Sequence, residues 1–212
     1  MITHTILEIL YVCGNLIIFA AAAVYSEVTN RREFGWLAAT ALTIAVFDLL
    51  HTFLTMLNPS DLEFFVPATW FYARLLEPLF FLGVYLNPVK LQNKTVYSIS
   101  LVSVITVATY FISGEYYHII DIFGFKIGRI FELIPLLESL AVVAYIAQDR
   151  HKNGVLWRFL TAKMMLNIAT HAIMINSTAL YDASFQAAHM VKLISVIPVA
   201  MMLHRIHKRI VE

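Results

Sequence analysis

Charge is scarce in this chain. Only 14% of its 212 residues are Asp, Glu, Lys or Arg, whereas soluble domains carry about a quarter. The two signs nearly cancel to a net +1, and no basic run is present, so nucleic acid is not an expected partner. Cysteine is almost absent: Cys13 stands alone, which rules out an intrachain disulfide framework. No spacing matches a phosphate-binding loop or a dinucleotide fingerprint. The residues before the first apolar stretch carry no cationic segment, so that stretch does not read as a cleaved signal peptide.

What is plentiful is apolar surface. Hydrophobic residues make up 60% of the chain, and the mean hydropathy is +0.75. Lipid is the solvent that makes such a surplus inexpensive. Windows of about 20 mostly apolar residues occur seven times, near 6–27, 36–57, 68–86, 95–113, 127–147, 155–177 and 185–203. Short separators with helix-breaking residues divide them, among them Asn30-Arg31-Arg32, Asn87-Pro88 and Tyr181-Asp182. The expected fold is an all-α membrane protein, a single seven-transmembrane-helix bundle over residues 1–212. Long windows without ten-residue alternation argue against a β-barrel.

Basic residues follow the first, third, fifth and seventh windows: Arg31 and Arg32, Lys90 and Lys94, Arg150 and Lys152, then Arg205, Lys208 and Arg209. The intervening loops carry Asp61, Glu63, Glu115, Asp121 and Asp182. This bias places the N terminus outside and the C terminus in the cytoplasm of a cell-membrane protein. Trp70, Phe71, Tyr72, Tyr116 and Tyr117 fall where an interfacial aromatic belt belongs, and His4 and His118 at or near the outer surface.

Charges nonetheless lie inside the windows, where each costs about 2.5–3.5 kcal/mol on insertion scales. Asp48 and His51 are in the second, Arg74 and Glu77 in the third, Glu132 and Glu138 in the fifth, Lys163 and His171 in the sixth, His189 and Lys192 in the seventh. Three sets repeat at i,i+3, which puts both members on one helix face. Counting at 1.5 Å per residue puts His51, His171 and His189 roughly 10 Å below the outer surface. The expectation is a polar pocket in the outer half of the bundle. Arg74, Glu77, Glu132 and Lys192 are its candidate ligand-binding groups, and His51, His171 and His189 its candidate metal ligands. Asp48 would orient His51. Each has a plainer reading: Arg74 with Glu77 as a neutralising pair, Asp48 with His51 as an interhelical clasp, His171 as a core histidine. Lys192 would be held by Glu77 or Glu132, Lys163 would snorkel inward, and Glu138 would make a helix–helix hydrogen bond.

Three segments resemble one family. They are LLHTFLTM, WFYARLLEPLFFL with its Trp-x-x-Ala-Arg-x-Leu-Glu pattern, and AAHMVKLISVIPVAMMLHRI with its His-x-x-Lys-x-x-Ser core; GFKIGRIFELI is a weaker match. Together they resemble the bacterial and archaeal membrane-associated sensor domains of the third type. That resemblance implies a prokaryotic sensory input domain. It also implies a cytoplasmic signalling output domain as partner: a histidine kinase (two-component) module, a PAS domain or a diguanylate cyclase. The family carries Ser-Glu where this chain has Thr170-His171, so the resemblance gives His171 no role. The chain stops at Val211-Glu212, as an excised input domain or one serving a separate partner would. Kinase-linked input modules commonly act as dimers, and no small-xxx-small face marks a homodimer seam.

The ligand stays open at this level. Imidazoles from three helices suit Zn or Cu, and two of them suit haem b. An organic or anionic ligand on a carboxylate–Lys–Arg network is the other option. The alternative function is a seven-span zinc hydrolase using Asp48, His51, His171 and His189. Such families keep a Ser four residues before a His and a His-x-x-x-His in the last span, and this chain has neither. A retinal Schiff base on Lys192 would want an acid one turn earlier, where Ala188 stands.

Overall fold

A computed structural model describes residues 2–56, 65–86, 120–122, 125–127, 132–148, 154–178 and 181–211. The described chain is helical apart from one small hairpin. In chain order the helices are α1 (Ile2–Thr29), α2 (Arg32–Met56), α3 (Phe65–Leu86), α4 (Leu133–Gln148), α5 (Val155–Met174), α6 (Ala183–Ile194) and α7 (Val196–Val211). Strands β1 (Ile120–Ile122) and β2 (Phe125–Ile127) pair antiparallel, with Asp121 opposite Lys126. Among the described residues, three helical stretches are long and apolar enough to cross a membrane: Thr3–Thr29, Arg32–Phe53 and Ala183–Lys208.

These elements match the first, second, third, fifth, sixth and seventh apolar windows. The fourth, at 95–113, lies outside the described residues, as do Asp61, Glu63, Lys90, Lys94, Glu115, Tyr116, Tyr117, His118, Arg150 and Lys152. The fifth window begins later than its hydropathy suggests. Ile127, read as its first residue, is in β2, and helix α4 starts only at Leu133. Three apolar residues in sequence cannot by themselves distinguish a strand from a helix start; pairing with β1 decides it.

Helix α2 is the central element, packed most extensively against α1 and α3. Ala38, Ala39, Ala41 and Ala45 are all buried and let neighbouring helices approach closely. Gly83 of α3 does the same from the other side: a β-carbon there would sit 2.4 Å from the Trp36 ring. Helix α1 shows the inverted amphipathicity of a lipid-facing helix. His4, Glu8, Tyr11, Asn15, Ile18, Ala22 and Ser26 are buried at helical spacing, while Ile6, Leu10, Ile17, Val24 and Val28 are exposed. Polar side chains within the helices bond back to their own backbone. Thr40, Thr52 and Thr170 donate to the carbonyls of Trp36, Asp48 and Leu166, and Asn15 to that of Tyr11.

The turn after α1 is made by Asn30 at φ 56, a left-handed conformation Asn tolerates. The last window is not one continuous helix. Ser195 interrupts it, three residues before Pro198, which has no N–H to give the Ile194 carbonyl and crowds that turn. Pro78 is accommodated within α3, and Pro135 falls in the first turn of α4, where a missing N–H costs nothing.

Two apolar clusters bracket the bundle. The larger gathers Ile18, Phe34, Leu37, Phe81, Val84, Leu160, Val199 and Met202. The smaller gathers Trp70, Met174, Phe185 and Ala188. On α1, α2, α3, α5 and α6 the ionisable residues come between or beside them in sequence, so a polar layer crosses the bundle.

Candidate functional site

At the centre of that layer lie three carboxylates and three permanent cations, each from a buried helix face. Arg74 on α3 places one terminal nitrogen 2.7 and 2.6 Å from the two oxygens of Asp48 on α2. Its other terminal nitrogen donates to Glu77 at 3.0 Å and to the Tyr11 hydroxyl at 3.2 Å. Lys192 on α6 donates to both oxygens of Glu8 on α1, at 3.0 and 2.8 Å, and to Asp48 at 2.9 Å. Lys163 on α5 pairs with Glu77 at 2.7 Å and donates to the Ser195 hydroxyl at 3.1 Å. Five helices and the break between α6 and α7 are thereby joined. All six charged residues are no more than 2% exposed.

Tyr11 is the hub. Its ring lies 5.3 Å from the Arg74 guanidinium, 5.7 Å from the Lys163 ammonium and 4.5 Å from that of Lys192. Trp70 caps two of these cations, 4.8 Å from Arg74 and 4.2 Å from Lys192. The aromatic faces add cation–π attraction in a desolvated setting. Pairing of this kind makes six buried charges tolerable: removing one partner from such a set costs about 3–5 kcal/mol.

Toward the α5–α6 connection the layer becomes rich in imidazole. His189 donates from Nδ1 to the Phe185 carbonyl at 2.7 Å, since a carbonyl can only accept. Its Nε2 lies 2.9 Å from Glu8 Oε1 and 3.1 Å from His4 Nε2. His171 meets Glu132 at 2.8 Å, and the other oxygen of Glu132 accepts from the Trp70 indole at 2.6 Å. His51 contacts the Thr69 hydroxyl at 3.3 Å, and its ring stands edge-on to His4 with centroids 6.0 Å apart. Tyr181 packs on His4 at 5.6 Å with a backbone φ of 67°, an uncommon conformation for a bulky residue. Asp182 caps α6 by accepting from the Phe185 amide at 2.7 Å.

All eight candidates from the sequence fall within this one layer, but the pairings differ. Asp48 does not clasp His51; it bonds Arg74 and Lys192. Lys192 takes Glu8 and Asp48 in place of Glu77 or Glu132. Arg74 and Glu77 do pair, as the i,i+3 spacing implies. The three imidazoles named as metal ligands are dispersed over separate partners: His51 at Thr69, His171 at Glu132, His189 at Glu8. Lys163 does not snorkel to an interface; Glu77 holds it inside. Glu138 Oε2 is buried and makes no hydrogen bond. Trp70 serves the polar layer rather than an interfacial belt.

Four participants were not among the candidates: His4, Glu8, Tyr11 and Lys163. The signal for the first three was present. Positions 4, 8, 11 and 15 place the polar residues His, Glu, Tyr and Asn on one face of an otherwise apolar helix.

No curated protein and no solved structure matches the chain. A family model does, over residues 1–205, and its description is membrane-associated sensor domain. The match covers every residue of the polar layer and all helices except the last turns of α7. The chain therefore belongs to the MASE3 family of membrane-associated sensor domains.

Proposed function

We propose that this chain is the input domain of a prokaryotic plasma-membrane signalling protein, a single seven-span bundle whose polar layer is the sensing element. The N terminus faces outside, and the polar layer then occupies the outer half. A small ligand, a metal ion or haem enters at its imidazole-rich end. Rearranged ion pairs move α6 against α7, and α7 carries the shift to a cytoplasmic kinase, PAS or cyclase module. The observation that carries this reading is the geometry around Lys192. One ammonium on α6 holds Glu8 of α1 and Asp48 of α2 together, three residues before the helix break.

Such a layer suits switching. At its centre three carboxylates pair with three cations, so a ligand that captures one carboxylate forces the others to re-pair, and only a difference in affinity between two states shifts an equilibrium. Ser195, which accepts from Lys163 and bonds back to the Lys192 carbonyl at 2.6 Å, couples α5 to the break.

The test is an output assay in membranes, with the chain joined after α7 to a diguanylate cyclase. Ser195→Ala and Lys163→Met are expected to shift basal output severalfold while leaving membrane insertion intact. Output that is indifferent to both substitutions, at normal protein levels, would remove the layer from signalling.

A further inference from the structure

Three electron-rich atoms converge at one point beside the ionic layer. His189 Nε2, Glu8 Oε1 and His4 Nε2 are separated by 2.9, 3.1 and 3.8 Å. Donor atoms in a tetrahedral zinc site, each about 2.05 Å from the metal, lie roughly 3.3 Å apart. The observed triangle averages close to that edge without any helix moving.

The protonation pattern sharpens the match. Because His189 Nδ1 must donate to the Phe185 carbonyl, neutral His189 presents an unprotonated Nε2. That nitrogen faces a carboxylate oxygen at 2.9 Å and a second imidazole nitrogen at 3.1 Å, contacts that need a proton or a metal ion between the atoms. An N–H bonded to a backbone carbonyl behind a ligating imidazole is the usual outer contact of metal-bound histidine, fixing tautomer and ring orientation. His4 Nδ1 is buried and makes no hydrogen bond, so the polar contacts of this ring are all at Nε2, while Tyr181 and Phe185 pack on it.

The negative charge at the triangle comes from Glu8. The connected layer holds four carboxylates (Glu8, Asp48, Glu77 and Glu132) and three permanent cations (Arg74, Lys163 and Lys192). Three of the carboxylates balance the three cations, and the fourth, Glu132, bonds His171 and Trp70, so Glu8 is the one of the four that lies in the triangle. Lys192 is the group that opposes a cation here. It keeps partners if Glu8 Oε1 turns to a metal, because Glu8 Oε2 at 2.8 Å and Asp48 at 2.9 Å remain.

We propose that His4, Glu8 and His189 bind a divalent transition-metal cation of the zinc type, with the fourth position taken by water or an exogenous ligand. Two nitrogens and one carboxylate oxygen are a donor set Zn2+ accepts. Binding draws Glu8 Oε1 from Lys192, 3.0 Å away, and so reaches Asp48 and Arg74 through the same ammonium. The role of the metal as a signal rests on the sensory reading; its binding does not.

The experiment uses the full chain in lipid nanodiscs, stripped with chelator and titrated with Zn2+ alone. Metal is counted by mass spectrometry, and the geometry is read from the visible bands of bound Co2+. The expected result is one Zn2+ per chain and four-coordinate Co2+ bands, with affinity lowered at least about tenfold in His4→Ala and in His189→Ala. Cys13→Ser and His207→Ala leave binding unchanged. His4→Ala is the decisive variant, since His4 has few other bonds and its loss leaves the ionic layer intact. Substoichiometric Zn2+ in the wild type, or Zn2+ retained at full affinity in His4→Ala, overturns the site. Output that ignores Zn2+ while binding follows this pattern would instead leave the site standing and refute its role in signalling.

Discussion

A buried carboxylate that holds two cations should be missed more than a cation that leans on it. Glu77 bonds both Arg74 and Lys163, at 3.0 and 2.7 Å. Lys163→Met is expected to destabilise the folded protein by less than Glu77→Gln, because Glu77 keeps Arg74 whereas loss of Glu77 strands Lys163. Glu77→Gln should cost about 3–5 kcal/mol. Denaturation in mild detergent, followed by tryptophan fluorescence, checks the order. Equal losses for the two variants would mean that Lys163 finds another acceptor.

At this scale the sequence was informative about depth and poor about partners. Counting residues from the span ends put Arg74, Glu77 and Glu132 within a turn or two of His51, His171 and His189, and all six lie in the polar layer. Helical spacing fixes which residues share a face of one helix, so Arg74 with Glu77 was legible. It says nothing about which helix lies opposite, so Asp48 was matched to the histidine one turn along and not to cations on α3 and α6. Nearness to the chain start reads as nearness to water, which places His4 at the outer surface. Yet His4 is 4% exposed and Glu8 1%, enclosed by α6.

Among the elements, α2 sets the architecture because it is buried on almost every side. That explains why Asp48 is in the interior whatever its helical phase. The α2–α3 contact depends on a missing side chain: at Gly83 a β-carbon would overlap the Trp36 ring at 2.4 to 3.0 Å. Gly83→Ala should therefore separate the two helices and destabilise by about 1–3 kcal/mol, a cost of overpacking. Trp36→Leu in the same background should recover much of it. A thermal-shift series on the single and double variants measures this; no rescue by Trp36→Leu would place the strain elsewhere.

Apolar windows located these helices well, since lipid demands length and hydropathy from any span. They failed where a different force acts. The β1–β2 pairing took Ile127 from the fifth window, and Pro198 opened the seventh at Ser195. Pro198 was visible in the sequence; that the interruption would coincide with the Lys163–Ser195 contact was not, since that contact joins residues 32 apart.

For the molecule as a whole, the family assignment and the ionic layer meet in one idea: a membrane-associated sensor domain with its charges gathered at one level of the bundle. A layer of buried ion pairs between two apolar clusters is stable only as a set, so its members should act non-additively. Lys192 with Glu8 is the most telling pair, because it spans α6 and α1 and borders the His4–His189 triangle.

The most direct measurement is a double-mutant cycle on Lys192→Met and Glu8→Gln, read as output of the joined cyclase in membranes. Lys192→Met should shift the output strongly, because it leaves Glu8 without its cation, and Glu8→Gln should shift it less, because Lys192 keeps Asp48. The double variant, with its charge balance restored, should return toward the wild-type level, a coupling of about 1–3 kcal/mol. Strictly additive effects, or single variants that leave output unchanged at normal expression, would contradict the claim that this ionic layer is the sensing element.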